Sequence, residues 1–129
     1  MAGEFLTAGQ LLKRGLLACV TMGQAKAIDL IVYNDKTQRD FHVQVKTMRR
    51  KCPGWFMKRP DPNHIYVFVL LNGPSEQEQY FIISGRTLAA DLPGFFGAKF
   101  DSEKPGDFDG VDWEPVQKFR DNWQVFDEQ

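Results

Sequence analysis

The stretch Ile28-Asp29-Leu30-Ile31-Val32-Tyr33, followed across a short polar tip by Phe41-His42-Val43-Gln44-Val45-Lys46-Thr47, decides the fold. Both runs are rich in branched and aromatic residues, and the polar segment from Asn34 to Asp40 between them marks a hairpin turn. Opposite residues in an antiparallel pair have position numbers with a constant sum. The middle of the tip lies near Lys36 and Thr37, which sets Asp29 opposite Gln44 or one residue away. In the second run Phe41, Val43 and Val45 alternate with His42, Gln44 and Lys46, so a period of two puts the last three on one face. A carboxylate among branched apolar residues is costly to bury unless something binds it, and the same constraint applies to Lys46. Two such positions on neighbouring strands predict a site.

Outward from this hairpin the remaining elements follow. Gly3 to about Arg14 reads as a helix with Phe5, Ala8, Leu11 and Leu12 spaced for one buried stripe, and Gly15 stops it. Leu17 to Met22 reads as a first strand. Ile65-Tyr66-Val67-Phe68-Val69-Leu70-Leu71 is a nearly continuous apolar run, the pattern of a strand covered on both faces in the middle of a sheet. Tyr80 to Ile83 is another strand, and Ser84 is placed to cap a short helix through Leu88 and Ala89. Leu92 to Asp112 is rich in Gly, Pro and Asp and reads as a long loop, with a last helix from Pro115 through Asp121. Pro53, Gly54, Pro60 and Pro62 leave little room for a regular helix between Met48 and Asn63.

Asp29, a gap, then Gln44-Val45-Lys46, preceded by Gly3-Glu4-Phe5-Leu6 opening a helix, resembles the motif of the PD-(D/E)XK nuclease superfamily. The similarity is to its restriction-endonuclease-like and Holliday-junction-resolvase-like branches, with Gln44 where an acidic residue is commoner. It covers about the first third of the chain well. The resemblance implies an α/β sandwich with a mixed central sheet of about five strands flanked by helices. It also implies a metal-dependent DNA endonuclease, commonly a homodimer, with Glu4, Asp29, Gln44 and Lys46 as its catalytic set. Asp29, the Gln44 side-chain carbonyl, the Val45 backbone carbonyl and Glu4 would hold Mg²⁺ or Mn²⁺, which favour oxygen ligands. Lys46 would hold the attacking water and stabilise negative charge in the transition state. An amide at position 44 removes one formal charge and weakens the hold on the ion.

Each of these residues also has an ordinary role open to it. Glu4 is favoured near any helix start, Asp29 can accept backbone hydrogen bonds at a strand end, and Lys46 can reach solvent from an edge strand. His42 shares the Gln44 face and is within reach of a substrate there, whereas His64 reads as an ordinary residue. Cys19 and Cys52 are the chain's two thiols, without metal-ligand spacing, and Cys19 is expected to pack as a small apolar residue.

Between Met48 and Asn63 the cations Arg49, Arg50, Lys51, Lys58 and Arg59 occur with no acidic residue before Asp61, and Trp55 and Phe56 lie among them. Such a segment fits a phosphate backbone, with Trp55 available to stack on an unpaired base. A formal net charge of −1 opposes this, because it gives no global attraction to nucleic acid. The chain has 129 residues, read as one domain over 1–129, with an ordinary charged fraction of 26%. No apolar run approaches a membrane span and no basic-then-apolar leader is present, so a cytoplasmic protein is expected. Gly-rich phosphate loops, dinucleotide fingerprints and nucleophile elbows are absent, so no small-molecule organic cofactor is expected. Two alternatives remain: a catalytically inactive nucleic-acid-binding domain of the same fold, or a protein-interaction module using Phe95, Phe96 and Trp113 beside the acidic stretch from Asp101 to Glu114.

Overall fold

The polar tip fixes the hairpin register. In a computed structural model, which describes residues 1–22, 28–50, 54–97 and 110–128, β2 (Leu30–Asn34) and β3 (Arg39–Met48) pair antiparallel from Leu30 opposite Val43 to Asn34 opposite Arg39. Asn34 stabilises the turn from inside. Its Oδ1 accepts from the Lys36 N–H at 2.9 Å and its Nδ2 donates to the Phe126 carbonyl at 2.8 Å. β1 (Leu17–Val20) lies antiparallel on the outer side of β2 and ends earlier than its apolar run suggests. Thr21 continues the contact one step further: its N–H and hydroxyl bond to the segment entering β2, at the Asp29 and Ile28 carbonyls.

Beyond β3 the strand β4 (Gly54–Phe56) leaves the main sheet, and β5 (His64–Leu70) returns to pair parallel with β3. β6 (Gln79–Ser84) then closes antiparallel on β5, giving a five-stranded mixed sheet in the order β1-β2-β3-β5-β6. Every residue of β5 is buried, as an apolar strand covered on both faces must be.

One face carries Leu30, Val32, Val43, Val45, Val67 and Ile82 against α1 (Ala2–Lys13) and a 3-10 segment, Trp123–Asp127, that supplies Trp123, Val125 and Phe126. The helix rests on the sheet through Gly3, Thr7, Ala8 and Leu11, while Phe5 and Leu12, expected in the buried stripe, are exposed. The cause is close approach: a Cβ at Gly3 would collide with the Thr47 hydroxyl, so small residues select the contact face. The other face carries Met48, Tyr66, Phe68, Leu70, Phe81 and Ile83. It is covered by Leu88 of α2 (Gly85–Ala90), by Phe95 and Phe96 of α3 (Leu92–Phe96), and by a small sheet of β4 with β7 (Gly110–Asp112). Val116 of α4 (Trp113–Val116) completes it.

Three expectations need correction. The stretch from Leu92 to Asp112 is not a structureless loop: it opens as α3 and closes as β7, with residues 98–109 outside the described set. Asp91 caps the Gly94 N–H at 3.2 Å and Pro93 occupies the first turn, which is helix-start chemistry in a Gly- and Pro-rich composition. The helix expected from Pro115 is instead the single turn α4, followed by a 3-10 turn at Gln117–Phe119. Cys19 is exposed, not packed, because α2, α3 and β7 cover only the β5–β6 side of their face and leave Leu17, Cys19 and Ile31 uncovered. Among the described residues no helix is long and apolar enough to cross a membrane.

Candidate active site

Asp29 stands one residue before β2, at the point where that strand parts from β3. Its N–H donates to the Val43 carbonyl at 2.8 Å, and its Oδ2 accepts from the Val45 N–H, also at 2.8 Å. A carboxylate oxygen thus takes the place of the main-chain acceptor that a longer β2 would have offered. The N–H and C=O of one strand residue point to the same side, so the Val45 carbonyl faces this gap as well. The regular pairing ends at Leu30 opposite Val43, and at Asp29 the N–H bonds towards β3 while the C=O accepts from Thr21 on the β1 side. Val43 and Val45 point into the α1 face, so alternation along β3 places Gln44 and Lys46 together on the other. Asp29, Gln44 and Lys46 are each half-buried, and among the described residues the Lys46 ammonium makes no hydrogen bond or ion pair.

Gln44 is tied from the β5 side. The parallel register sets His42 beside His64 and Gln44 beside Tyr66. The Gln44 Nε2 lies 2.9 Å from His64 Nδ1 and donates to the Tyr66 hydroxyl at 3.2 Å. That hydroxyl also accepts from the Asp61 N–H at 2.8 Å, while the Asp61 carboxylate sits 3.5 Å from His64 Nε2. Burial pushes the Tyr66 phenol up from its ordinary value, so it remains a neutral acceptor. With Nε2 committed, Gln44 Oε1 accepts no hydrogen bond among the described residues. His64, Tyr66 and Asp61 escape the sequence reading because their link to Gln44 depends on a parallel register between distant strands. The one local signal is a histidine at the head of an otherwise apolar strand, three residues after an aspartate.

Glu4 belongs to the opposite face. It lies on the first turn of α1, next to Gly3, which packs on Val45 and Thr47, and its carboxylate is 3.5 Å from the N-terminal amine. The structure therefore brings Gln44 and Lys46 to one face of β3, joins the Asp29 carboxylate to the Val45 N–H between them in sequence, and sets Glu4 apart on the first turn of α1.

This architecture matches that of a bacterial homing endonuclease, I-Ssp6803I. The TM-score is 0.59 with 13% sequence identity, over 96% of this chain and 87% of that one. The likeness is one of fold. No family model matches the sequence, and no curated protein matches it either.

The oxygens that could serve a cation here are Asp29 Oδ1, the Val45 carbonyl and Gln44 Oε1. This is a hard donor set of the kind that suits Mg²⁺ or Mn²⁺ with retained waters. Among the described residues no three His, Cys, Asp or Glu side chains cluster closely enough to hold a metal ion. A cation here would rely on amide and main-chain carbonyls and carry little compensating charge.

The basic segment divides. Arg49 and Arg50 are exposed immediately after β3, Lys58 is exposed and Arg59 half-buried, while Lys51 lies outside the described residues. Trp55 must be withdrawn as a base-stacking residue. It is 2% exposed, stacks on Trp113 at 5.6 Å between ring centroids, and donates its indole N–H to the Val69 carbonyl at 3.2 Å. Successive residues of a strand face opposite ways, so burying Trp55 turns Phe56 outward, where it is 73% exposed. Phe95 and Phe96, considered above for a protein partner, are likewise core residues.

Proposed function

We propose that this chain is a metal-dependent nuclease of the PD-(D/E)XK type that hydrolyses DNA phosphodiester bonds. The observation that carries the reading is the end of the β2–β3 pairing, where the Asp29 carboxylate caps the N–H of Val45, the residue between Gln44 and Lys46. A homing endonuclease with the same fold supports it.

In this reading Asp29 Oδ1, Gln44 Oε1 and the Val45 carbonyl hold Mg²⁺ or Mn²⁺, with Glu4 reaching it directly or through water. The bound cation supplies charge neutralisation at the phosphate. Lys46 holds the attacking water beside the phosphorus and stabilises the charge that gathers on the phosphoryl oxygens as the new P–O bond forms. The scissile P–O bond then breaks, the leaving oxygen gains a proton from solvent, and the proton lost by the attacking water passes to solvent. Arg49, Arg50, Lys58 and Arg59 line the approach of the DNA backbone, and the outward Phe56 takes the stacking role that Trp55 cannot. Such enzymes commonly act as homodimers, which would present two basic segments to one duplex and offset the net charge of −1.

Lys46→Ala tests the reading. Cleavage of supercoiled DNA in Mg²⁺ should fall by about a hundredfold or more, the scale of a positioned charge-stabilising group, with DNA affinity little changed. No metal-dependent cleavage of supercoiled, linear or four-way-junction DNA by the parent would refute it and favour an inert binder.

A further inference from the structure

Gln44 is useful to a cation only through its oxygen, and an amide can turn either end towards a ligand. We propose that Asp61 and His64 are positioning residues that decide which end it presents. Their role rests on Gln44 serving as a cation ligand, as proposed above. The Asp61 carboxylate, 3.5 Å from His64 Nε2, favours the tautomer with its proton on that nitrogen. Nδ1 is then a bare acceptor and takes one hydrogen of the Gln44 amide at 2.9 Å, while the Tyr66 hydroxyl takes the other at 3.2 Å. Both amide hydrogens are spent, and Oε1 is the end left open to a cation.

Asp61 is itself fixed. Its Oδ1 accepts from the Asn63 N–H at 2.9 Å, its N–H donates to Tyr66, and its carbonyl accepts from the His64 N–H at 3.1 Å. The turn also lies so close to Gly85 that a Cβ there would collide with the Asp61 carbonyl. A chain with glutamate at position 44 would need none of this, because both carboxylate oxygens are acceptors. The arrangement of Asp61, His64 and Tyr66 thus compensates for the amide that replaces the commoner acid.

Asp61→Asn reverses the polarity without changing the shape. The Asn63 N–H holds the carbonyl oxygen in place, so the new NH₂ points at His64 Nε2, drives the proton to Nδ1 and turns the Gln44 amide over. Imidazole ¹⁵N shifts and Mn²⁺ affinity by electron paramagnetic resonance, measured on the parent, Asp61→Asn, Gln44→Glu and the double variant, read this directly. The parent should carry its proton on Nε2. Asp61→Asn should move the proton to Nδ1 and weaken Mn²⁺ binding about tenfold or more, the scale for partners that orient metal ligands. In the Gln44→Glu background the same change should cost less than about threefold. Tyr66→Phe, which keeps the buried ring, should weaken Mn²⁺ binding with Gln44 and leave it unchanged with Glu at that position. The proposal is overturned by an Nδ1–H tautomer in the parent, by unchanged Mn²⁺ affinity in Asp61→Asn, or by an equal loss in both backgrounds. If neither the parent nor Gln44→Glu binds Mn²⁺, the metal reading itself falls, and this role with it.

Discussion

Asp29 carries two duties that substitution can separate. Its Oδ2 accepts the Val45 N–H at 2.8 Å, a main-chain donor at the end of the β2–β3 pairing, and its other oxygen is the proposed cation ligand. Asp29→Ala removes the acceptor and leaves a partly buried N–H without a protein partner. A hydrogen bond to a charged group contributes about 1.5–3 kcal/mol, and the half-exposed site admits some compensating water, so a loss of about 2 kcal/mol is expected. For a chain of this size that corresponds to a fall in Tm of roughly 6–10 °C. Asp29→Asn keeps a carbonyl acceptor in the same place and should cost only about 0.5–1 kcal/mol, the difference between a charged and a neutral bond. Both variants remove the anionic metal ligand and should lower cleavage by about a hundredfold or more. Thermal unfolding in EDTA measures the first duty and Mg²⁺-dependent cleavage the second. Equal destabilisation by Ala and Asn would refute the capping role, and parent-like cleavage by Asp29→Asn would refute the ligand role.

Further outcomes follow from the basic segment and from Tyr80. Neutralising Arg49, Arg50 and Lys51 together should weaken DNA binding across all sequences and flatten its salt dependence by about 0.9 log unit of slope for each phosphate no longer neutralised. In the same titrations Phe56→Ala should weaken single-stranded DNA binding while leaving Tm within about 2 °C, whereas Trp55→Ala should cost about 3–5 kcal/mol of stability. Burial, reinforced by Glu78 and Asp121, pushes the Tyr80 phenol up to about 12 from its ordinary value of 10.0. The folded state thus favours the protonated phenol: the associated stability is fully present below pH 10 and is lost as pH rises towards 12. Alkaline unfolding curves for the parent and Tyr80→Phe should differ in that window and run parallel below it.

The hairpin was legible because its polar tip and strict alternation leave one register that buries Val43 and Val45, and that alternation carries Gln44 and Lys46 to one face. Local chemistry also announced the Ser84 cap, whose Oγ accepts from the Thr87 N–H at 3.1 Å, and the doubly covered β5. What stayed hidden depends on partners distant in sequence. Trp55 and Phe56 are equivalent as composition, and only the pairing of β4 with β7 sends one inward and the other outward. Phe5 matched the spacing of a buried stripe, but the close approach at Gly3 rotated α1 away from it. The parallel pairing of β3 with β5 joins residues some twenty positions apart, and no local pattern encodes that register, so the hold of His64 and Tyr66 on Gln44 emerged only in three dimensions.

The central claim is that the parting of β2 from β3 holds a divalent cation. Crystals soaked in Mn²⁺ and measured for anomalous scattering test it most directly. The account predicts one peak bounded by Asp29 Oδ1, Gln44 Oε1 and the Val45 carbonyl, at the distances of about 2.0–2.3 Å expected for a hard cation of this size. A saturating soak that leaves this position empty, or that places the ion away from Asp29, would contradict it.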